Sequence, residues 1–328
     1  MKKKIDIDET VRRLLDGDRR AAARLITLVE DEMEEDHEVM RRIYPHSGQA
    51  MILGITGSGG AGKSTLVNHL IGAFREQKKR VGVVVVDPSS PFSGGAFLGD
   101  RIRLQRHAQD EGVYIRSMAS RGYLGGLSRA TYDVIRIMEA MGMEVIIVET
   151  LGAGQDEIDV IHIAHTCVLV VTPGMGDDIQ AMKAGLMEIA DIIVVNKADL
   201  DGAETCLRHL QGSLSAGSFE EGGWVPRVIP TVSVANKPED IRGIDKLTAA
   251  IAAHQEYLHT SKAINNVKYE RIEQELGLVF KDELQKVIFK GLKGTGKKKE
   301  YIDSIIKGEN DPYSVVEEVL ATYLVRKK

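Results

Sequence analysis

The sequence predicts an α/β fold with a doubly wound, mostly parallel sheet, a helical lead-in before it and a helical extension after it. Two observations favour this fold. From Met51 onward, short aliphatic runs alternate with helical segments, and a glycine-rich segment directly follows the first run. Nearly unbroken Val and Ile runs indicate strands that are buried on both faces. The predicted strands are Met51–Ile55, Val81–Val86, Val113–Ser117, Val145–Val148, Cys167–Val171, Ile192–Val195 and Val228–Ile229.

Helical segments precede and follow the predicted sheet. Apolar residues at helical spacing predict two or three amphipathic helices up to about Arg42, so residues 1–48 form an N-terminal helical segment. Residues 49–260 contain the sheet, and residues 261–328 form the extension, with a lysine-rich break at Gly291–Lys299. An apolar stripe in the extension packs back on the domain or forms a dimer, and the pattern fits both alternatives. The stripe contains Ile272, Leu276, Val279, Phe280, Leu284, Val287 and Ile288.

The composition is that of an ordinary globular protein of 328 residues, 43% of them hydrophobic. A net charge of −5 argues against general nucleic-acid binding, which needs a basic surface. Cys167 and Cys206 form no Cys-x-x-Cys or Cys/His cluster, so no disulfide framework or zinc site is expected. Without a visible secretory signal or an apolar run long enough to span a membrane, we expect a cytoplasmic protein with no membrane segment.

The glycine-rich segment after the first predicted strand, residues 57–64, fits the phosphate-binding P-loop pattern G-x-x-x-x-G-K-[ST]. Glycines leave the backbone N–H groups free to converge on a phosphate, and the helix that begins near Gly62 directs its positive end there. Lys63 is predicted to bridge the β- and γ-phosphates, and Ser64 to bind Mg²⁺. The predicted nucleotide contacts of this segment are Gly57, Ser58, Gly59, Gly60, Ala61, Gly62, Lys63, Ser64 and Thr65.

Two further loops are candidates for reading the base of the nucleotide. Asn196-Lys197-Ala198-Asp199 follows a predicted strand and fits the pattern N-K-x-D. The Asp199 carboxylate can accept hydrogen bonds from both N1–H and the exocyclic amine of guanine, a pair of donors that adenine lacks. Asn196 would brace the loop, and the Lys197 stem would cover the ring face. Ser233-Val234-Ala235, after the last predicted strand, is a second candidate for the base edge.

Glu149 follows the predicted strand Val145–Val148 and stands at the first position of a motif that is commonly D-x-x-G. Its carboxylate is expected to reach Mg²⁺, directly or through a water, although the side chain of Glu is longer than that of Asp. Gln155 is a candidate for orienting the attacking water, but a solvated loop glutamine explains this position equally well.

Asp87 and Asp100 are further candidate ligands of Mg²⁺. Asp87 directly follows the predicted strand Val81–Val86, beside the P-loop, where a carboxylate close to phosphates needs a metal or water between them. Asp100 lies in the following glycine-rich loop, which has the composition of a switch that γ-phosphate and Mg²⁺ would order. Alternatively, Asp100 caps the helix that begins at Arg101.

Two histidines, His162 and His165, are spaced three residues apart, as metal ligands on one helix face can be. No third ligand is visible near them in the sequence. We therefore interpret both as structural histidines.

The ordered series of these motifs resembles the methylmalonyl-CoA mutase-associated GTPases, the MeaB/ArgK family. The resemblance covers nearly the whole chain and includes the P-loop and the Asn-Lys-Ala-Asp loop. It also includes segments at Leu15–Ala21, Ile26–Glu30, Pro45–Gly48, Asp87–Arg101, Glu149–Gln155, Gly176–Gln180, Lys183–Gly185 and Asp311–Tyr313.

The resemblance implies a P-loop GTPase that acts as a chaperone of an adenosylcobalamin-dependent acyl-CoA mutase, gating cofactor loading and protecting or reactivating the mutase. It implies GTP or GDP as the bound nucleotide, with Asp87, Asp100 and Glu149 around Mg²⁺. It also implies a third switch at residues 174–185 that meets the partner, with Lys183 near the active site, and a homodimer formed by the C-terminal helices.

The chain departs from the family pattern at two positions. The P-loop, which contains Ala61, lacks the Pro that the family usually has before the central Gly, and Ser93 stands where Thr is usual. Both departures suggest an outlying branch, whose partner is methylmalonyl-CoA mutase or a related acyl-CoA mutase. Min-like ATPases fit less well, because Ser58 replaces their signature lysine. A nucleotide-dependent regulator of basic amino-acid transport is the alternative function, while a kinase lacks a clear base for a substrate hydroxyl.

Overall fold

The computed structural model describes residues 5–31, 33, 35–87, 105–107, 109–119, 129–150, 160–174, 189–217, 219, 222–234 and 237–324. The chain forms two compact units, Met1–Arg271 and Ile272–Lys328. Within the described ranges, no helix combines the length and apolar character needed to cross a lipid bilayer.

The first unit is built on a parallel sheet. Seven strands are found in the described part of the chain, in the order β3-β2-β4-β1-β5-β6-β7. Every pair of neighbouring strands there is parallel, so the predicted doubly wound fold is confirmed and all carboxyl ends of the strands lie at one edge. The strands are β1 (Met51–Thr56), β2 (Val81–Asp87), β3 (Val113–Ala119), β4 (Val145–Thr150), β5 (Thr166–Val171), β6 (Ile192–Val195) and β7 (Arg227–Pro230).

Helices cover both faces of the sheet, which explains the unbroken aliphatic runs. On one face, Val168 and Val194 pack with α4 (Lys63–Glu76) and α7 (Ile244–Thr260) in the main core cluster. Their strand neighbours Leu169 and Val195 face the other side and pack against α6 (Ala203–Ala216). Successive strand residues point to opposite faces, so a strand covered on both sides needs apolar residues at every position.

The N-terminal segment forms three helices, α1 (Ile7–Leu15), α2 (Arg19–Glu30) and α3 (Asp36–Ile43), which pack around α5 (Arg129–Ala140). Asp6 and Asp18 cap the first two by accepting hydrogen bonds from backbone N–H groups of the first turn. A buried ion pair joins the lead-in to α5, with Arg129 Nη2 2.6 Å from Asp36 Oδ2.

The second unit contains α8 (Ile264–Thr295) from Ile272 onward, followed by α9 (Lys297–Ile306) and α10 (Pro312–Leu324). A small core forms from Leu292, Val315 and Val319. The predicted break at Gly291–Lys299 is wrong in extent, because α8 continues to Thr295 and α9 begins two residues later. Lysine is a good helix former, and Gly296, at φ +69°, interrupts the helix in a left-handed conformation.

His165 is a structural histidine, and it makes stability depend on pH. Its Nδ1 atom accepts a hydrogen bond from the Ile52 N–H at 3.1 Å, and the ring is buried. Burial, with smaller effects of Arg271, Lys268 and His259, lowers the pKa of His165 from 6.5 to about 3. Because the folded state resists protonation, the stabilising contribution is present above pH 6.5 and is lost as the pH falls toward 3.

We expect the free energy of unfolding of the wild type to decrease more steeply between pH 7 and pH 5 than that of His165→Asn, by about 2 kcal/mol. Urea denaturation at both pH values measures this difference. Two other buried groups titrate in this range, since the pKa of His254 is lowered to about 4 and that of Asp191 is raised to about 6, both mainly by desolvation. His254 and Asp191 are present in both the wild type and His165→Asn, so their contributions to the pH dependence cancel in the comparison. Parallel pH dependences for the two proteins would contradict the assignment.

Candidate functional site

The phosphate-binding loop connects β1 to α4 at the carboxyl edge of the sheet. Gly57 has φ +134° and Gly62 has φ +91°, conformations that disfavour a side chain. A Cβ atom on Gly57 would lie 2.1 Å from the Val170 carbonyl oxygen, and one on Gly62 would lie 2.3 Å from Asn196 Nδ2. The two glycines therefore allow the loop to pass between β5 and the loop after β6, and α4 begins directly afterwards at Lys63.

The Lys63 side chain folds back over this loop. Its Nζ atom donates hydrogen bonds to the carbonyl oxygens of Gly57 at 2.5 Å and of Ser58 at 2.9 Å, and the residue is only 5% exposed. The buried ammonium group is thus held by the carbonyl dipoles of Gly57 and Ser58, at the start of the loop. An anion in the loop would meet both this charge and the N-terminal end of α4.

Ser64 and Glu149, both predicted at the metal site, are in direct contact. Ser64 Oγ donates a hydrogen bond to Glu149 Oε1 at 2.6 Å, and Glu149 is 1% exposed. The contact follows from the strand order, because β4 lies beside β1 with Glu149 opposite Ile55. Two buried oxygen donors beside the phosphate loop are the chemistry that a hard divalent cation prefers.

Of the other predicted metal ligands, Asp87 is the last residue of β2, which neighbours β4. Its backbone therefore reaches the same edge of the sheet as Glu149. Asp100 lies outside the described residues, as do Gln155, Lys183 and Ala235.

The Asn-Lys-Ala-Asp loop is tied directly to the phosphate loop. The Asn196 side chain is fully buried, donates from Nδ2 to the Ala61 carbonyl oxygen at 2.8 Å, and accepts from Thr231 Oγ1 at 3.0 Å. Lys197 adopts φ +56° and donates from Nζ to the Gly60 carbonyl oxygen at 2.9 Å. Asn196 and Lys197 thus hold this loop against the P-loop, as the bracing role predicted for Asn196 requires.

Asp199 lies in the turn that follows and is exposed. Ser233, in the loop after β7, is buried at 3% exposure, whereas Val234 beside it is 67% exposed. The predicted base-reading residues thus comprise the exposed carboxylate of Asp199 and a loop in which Ser233 is buried and Val234 is exposed.

A cavity of about 450 Å³ lies beside α4, and of its lining residues the sequence pointed only to Thr65, Ser233 and Val234. Only long-range packing brings them together, although the four-residue spacing of Thr65 and His69 places both on one face of α4. The cavity is lined from α4 by Thr65, Asn68 and His69, from the turn at Gln105–His107 by Arg106 and His107, and from the loop after β7 by Ser233 and Val234.

Comparison with known proteins identifies the family. The family model described as "Methylmalonyl Co-A mutase-associated GTPase MeaB" matches residues 22–292. The chain belongs to the MeaB family. The family resemblance noted from the motifs is thereby confirmed, and the chain is a P-loop GTPase that hydrolyses GTP.

Relatives of this MeaB-family chain span distant organisms. A Pyrococcus abyssi protein, named as a GTPase, is 48% identical over 316 residues, which are 96% of both chains. GTPase ArgK of Escherichia coli is 36% identical over 272 residues, 80% of each chain. A solved structure described as "Crystal structure of LAO/AO transport system kinase" is 26% identical and superposes with a TM-score of 0.70, covering 97% of this chain and 98% of its own.

Proposed function

We propose that this GTPase is a chaperone of an adenosylcobalamin-dependent acyl-CoA mutase, which it serves by gating cofactor loading and by protecting or reactivating the mutase. The observation that carries the proposal is the match of the MeaB family model to residues 22–292, since that family is described by its association with methylmalonyl-CoA mutase. A Caenorhabditis briggsae relative adds support. It is 32% identical over 70% of this chain and 61% of its own, and its name is "Methylmalonic aciduria type A homolog, mitochondrial".

The proposed reaction is in-line attack of water on the γ-phosphate of GTP, with GDP and phosphate as products. Backbone N–H groups of the phosphate loop and the Lys63 ammonium stabilise the charge that develops on the phosphate oxygens. Lys63 is suited to this role because it is already held at the start of the loop. Gln155 is proposed to orient the water, and Lys183 to approach the site from the segment that meets the partner.

The residues present fit a bound Mg²⁺. Ser64 and Glu149 bring a hydroxyl and a carboxylate oxygen together beside the phosphate loop, and Asp87 ends the neighbouring strand. We assign Ser64, Asp87, Asp100 and Glu149 to this ion, bound directly or through water. When bound, Mg²⁺ would neutralise charge on the β- and γ-phosphates.

A pull-down of the intact protein tests the proposed function. Tagged protein is incubated with native extract in the presence of either a non-hydrolysable GTP analogue or GDP. We expect a cobalamin-dependent acyl-CoA mutase to be retained, in amounts that differ between the two nucleotides. Recovery of a membrane permease would instead support regulation of basic amino-acid transport, a role that fits the name of the solved transport system kinase.

We also propose that the C-terminal extension forms a homodimer. On α8, Ile272, Leu276, Phe280 and Leu284 are each at least 38% exposed, and their four-residue spacing places them along one helix face. A row of exposed large apolar side chains of this length is typical of an interface.

We expect Phe280→Glu to convert a dimer to a monomer, because it places a charge in the centre of this row. Light scattering coupled to size exclusion measures the mass. Gln274→Glu, an exposed change on another side of α8, is the matched control and should leave the dimer intact. A wild type that is monomeric throughout the micromolar range would contradict the proposed dimer.

A further inference from the structure

His69 forms a polar contact between α4 and the loop after β7. It lies six residues after Lys63, and thus about 9 Å further along the helix. His69 Nε2 lies 2.8 Å from the Ser233 carbonyl oxygen. Because a carbonyl oxygen can only accept, His69 Nε2 carries the proton and donates. This hydrogen bond connects the phosphate-binding helix to the loop that is predicted to meet the base.

Backbone hydrogen bonds to β6 and to Arg242 fix the loop up to Val232. The Thr231 N–H donates to the Val195 carbonyl at 2.9 Å, and Val232 exchanges two hydrogen bonds with Arg242 at 3.0 and 3.1 Å. Beyond Val232 the loop leaves this backbone pairing, and at Ser233 the contact is to His69. The imidazole therefore holds the backbone of this loop at Ser233.

Ser233 also places a buried polar group beside the phosphate loop. Its Oγ atom is buried, no described residue forms a hydrogen bond with it, and it lies 3.6 Å from where a Cβ on Gly62 would be. A buried hydroxyl beside the phosphate loop is placed to meet a ligand. The cavity of about 450 Å³ next to it has a volume typical of small-molecule sites, and Thr65 and His69 line it from one face of α4.

We infer that His69 is a positioning residue for guanine recognition. One rigid helix carries Lys63 and Ser64 at its first turn and His69 further along, so α4 sets the separation between the phosphate-binding residues and the base-reading loop. His69 acts through Ser233 and not by contact with the reacting phosphate. The inference rests on the proposed placement of guanine at Asp199 and the loop at 233–235.

Two variants of His69 test the inference in the full-length protein. In His69→Leu the donor is lost, so the Kd for GDP and the KM for GTP should rise about fivefold while kcat stays within about twofold. The ratio of the Kd for ADP to the Kd for GDP should fall by a similar factor. His69→Gln retains an N–H donor and should restore values close to the wild type. His209→Leu, at an exposed histidine on α6, is the matched control.

Calorimetry with GDP and ADP and steady-state phosphate release provide these values. An equal loss in kcat, unchanged affinity in His69→Leu, or failure of His69→Gln to restore affinity would overturn the inference, even if the wild type prefers guanine. A wild type that binds ADP as tightly as GDP would overturn the placement of guanine as well. The two failures are thus distinguishable.

Discussion

Replacing Lys63 by alanine is expected to abolish GTP turnover. Its ammonium group is buried and held over the phosphate loop by the carbonyl oxygens of Gly57 and Ser58. The variant would lose the positive charge nearest the γ-phosphate, where negative charge develops in the transition state. Loss of one such preorganised group lowers kcat by a factor on the order of a thousand. Steady-state phosphate release with saturating GTP measures the effect.

The control for this variant is Lys246→Ala, which removes an exposed lysine from α7 and should leave turnover unchanged. Thermal denaturation of both variants checks that the P-loop change has not unfolded the protein. Undiminished GTP hydrolysis by Lys63→Ala would refute the proposed catalytic role of the P-loop lysine.

Asp199→Asn is expected to shift the preference from guanine to xanthine nucleotides. The proposed role of the aspartate is to accept hydrogen bonds from N1–H and from the exocyclic amine of guanine, whereas an asparagine would present an oxygen to N1–H and an N–H donor beside it. Xanthine has a carbonyl oxygen at the position of that amine, so the new donor is satisfied. Sites that read a base by paired hydrogen bonds reject a mismatched partner strongly, so we expect the GTP/XTP affinity ratio to fall by at least about a hundredfold.

Competition binding with GTP and XTP measures this ratio. Asp201→Asn makes the same substitution at an exposed position two residues later and should leave the ratio unchanged. Equal selectivity in wild type and Asp199→Asn would remove Asp199 from the base-reading site.

The sheet could be predicted from the sequence because its chemistry is local. Each strand is covered on both faces, so it appears as a continuous aliphatic run, and each of the seven predicted runs overlaps a strand. The phosphate loop was predictable for a related reason, since close backbone approach at Gly57 and Gly62 demands residues without a side chain. The contact of Ser64 with Glu149 follows once β1 and β4 are neighbours.

The remaining features depend on contacts between distant segments. His69 resembles any histidine on an amphipathic helix, and only the position of Ser233, 164 residues later, gives it a role. The break near Gly296 was predicted too wide because lysines mark solvent exposure and not the end of a helix. His165 was interpreted correctly as structural, but its partner Ile52, 113 residues earlier, required the strand order.

We propose that one site binds the phosphates of a nucleotide through the P-loop and selects guanine through Asp199. Titration calorimetry of the purified wild type with GTP and ATP, in buffer containing magnesium, tests it most directly. We expect GTP to bind with one site per chain and ATP to bind far more weakly. Equal affinity for ATP and GTP, or binding of neither, would contradict it.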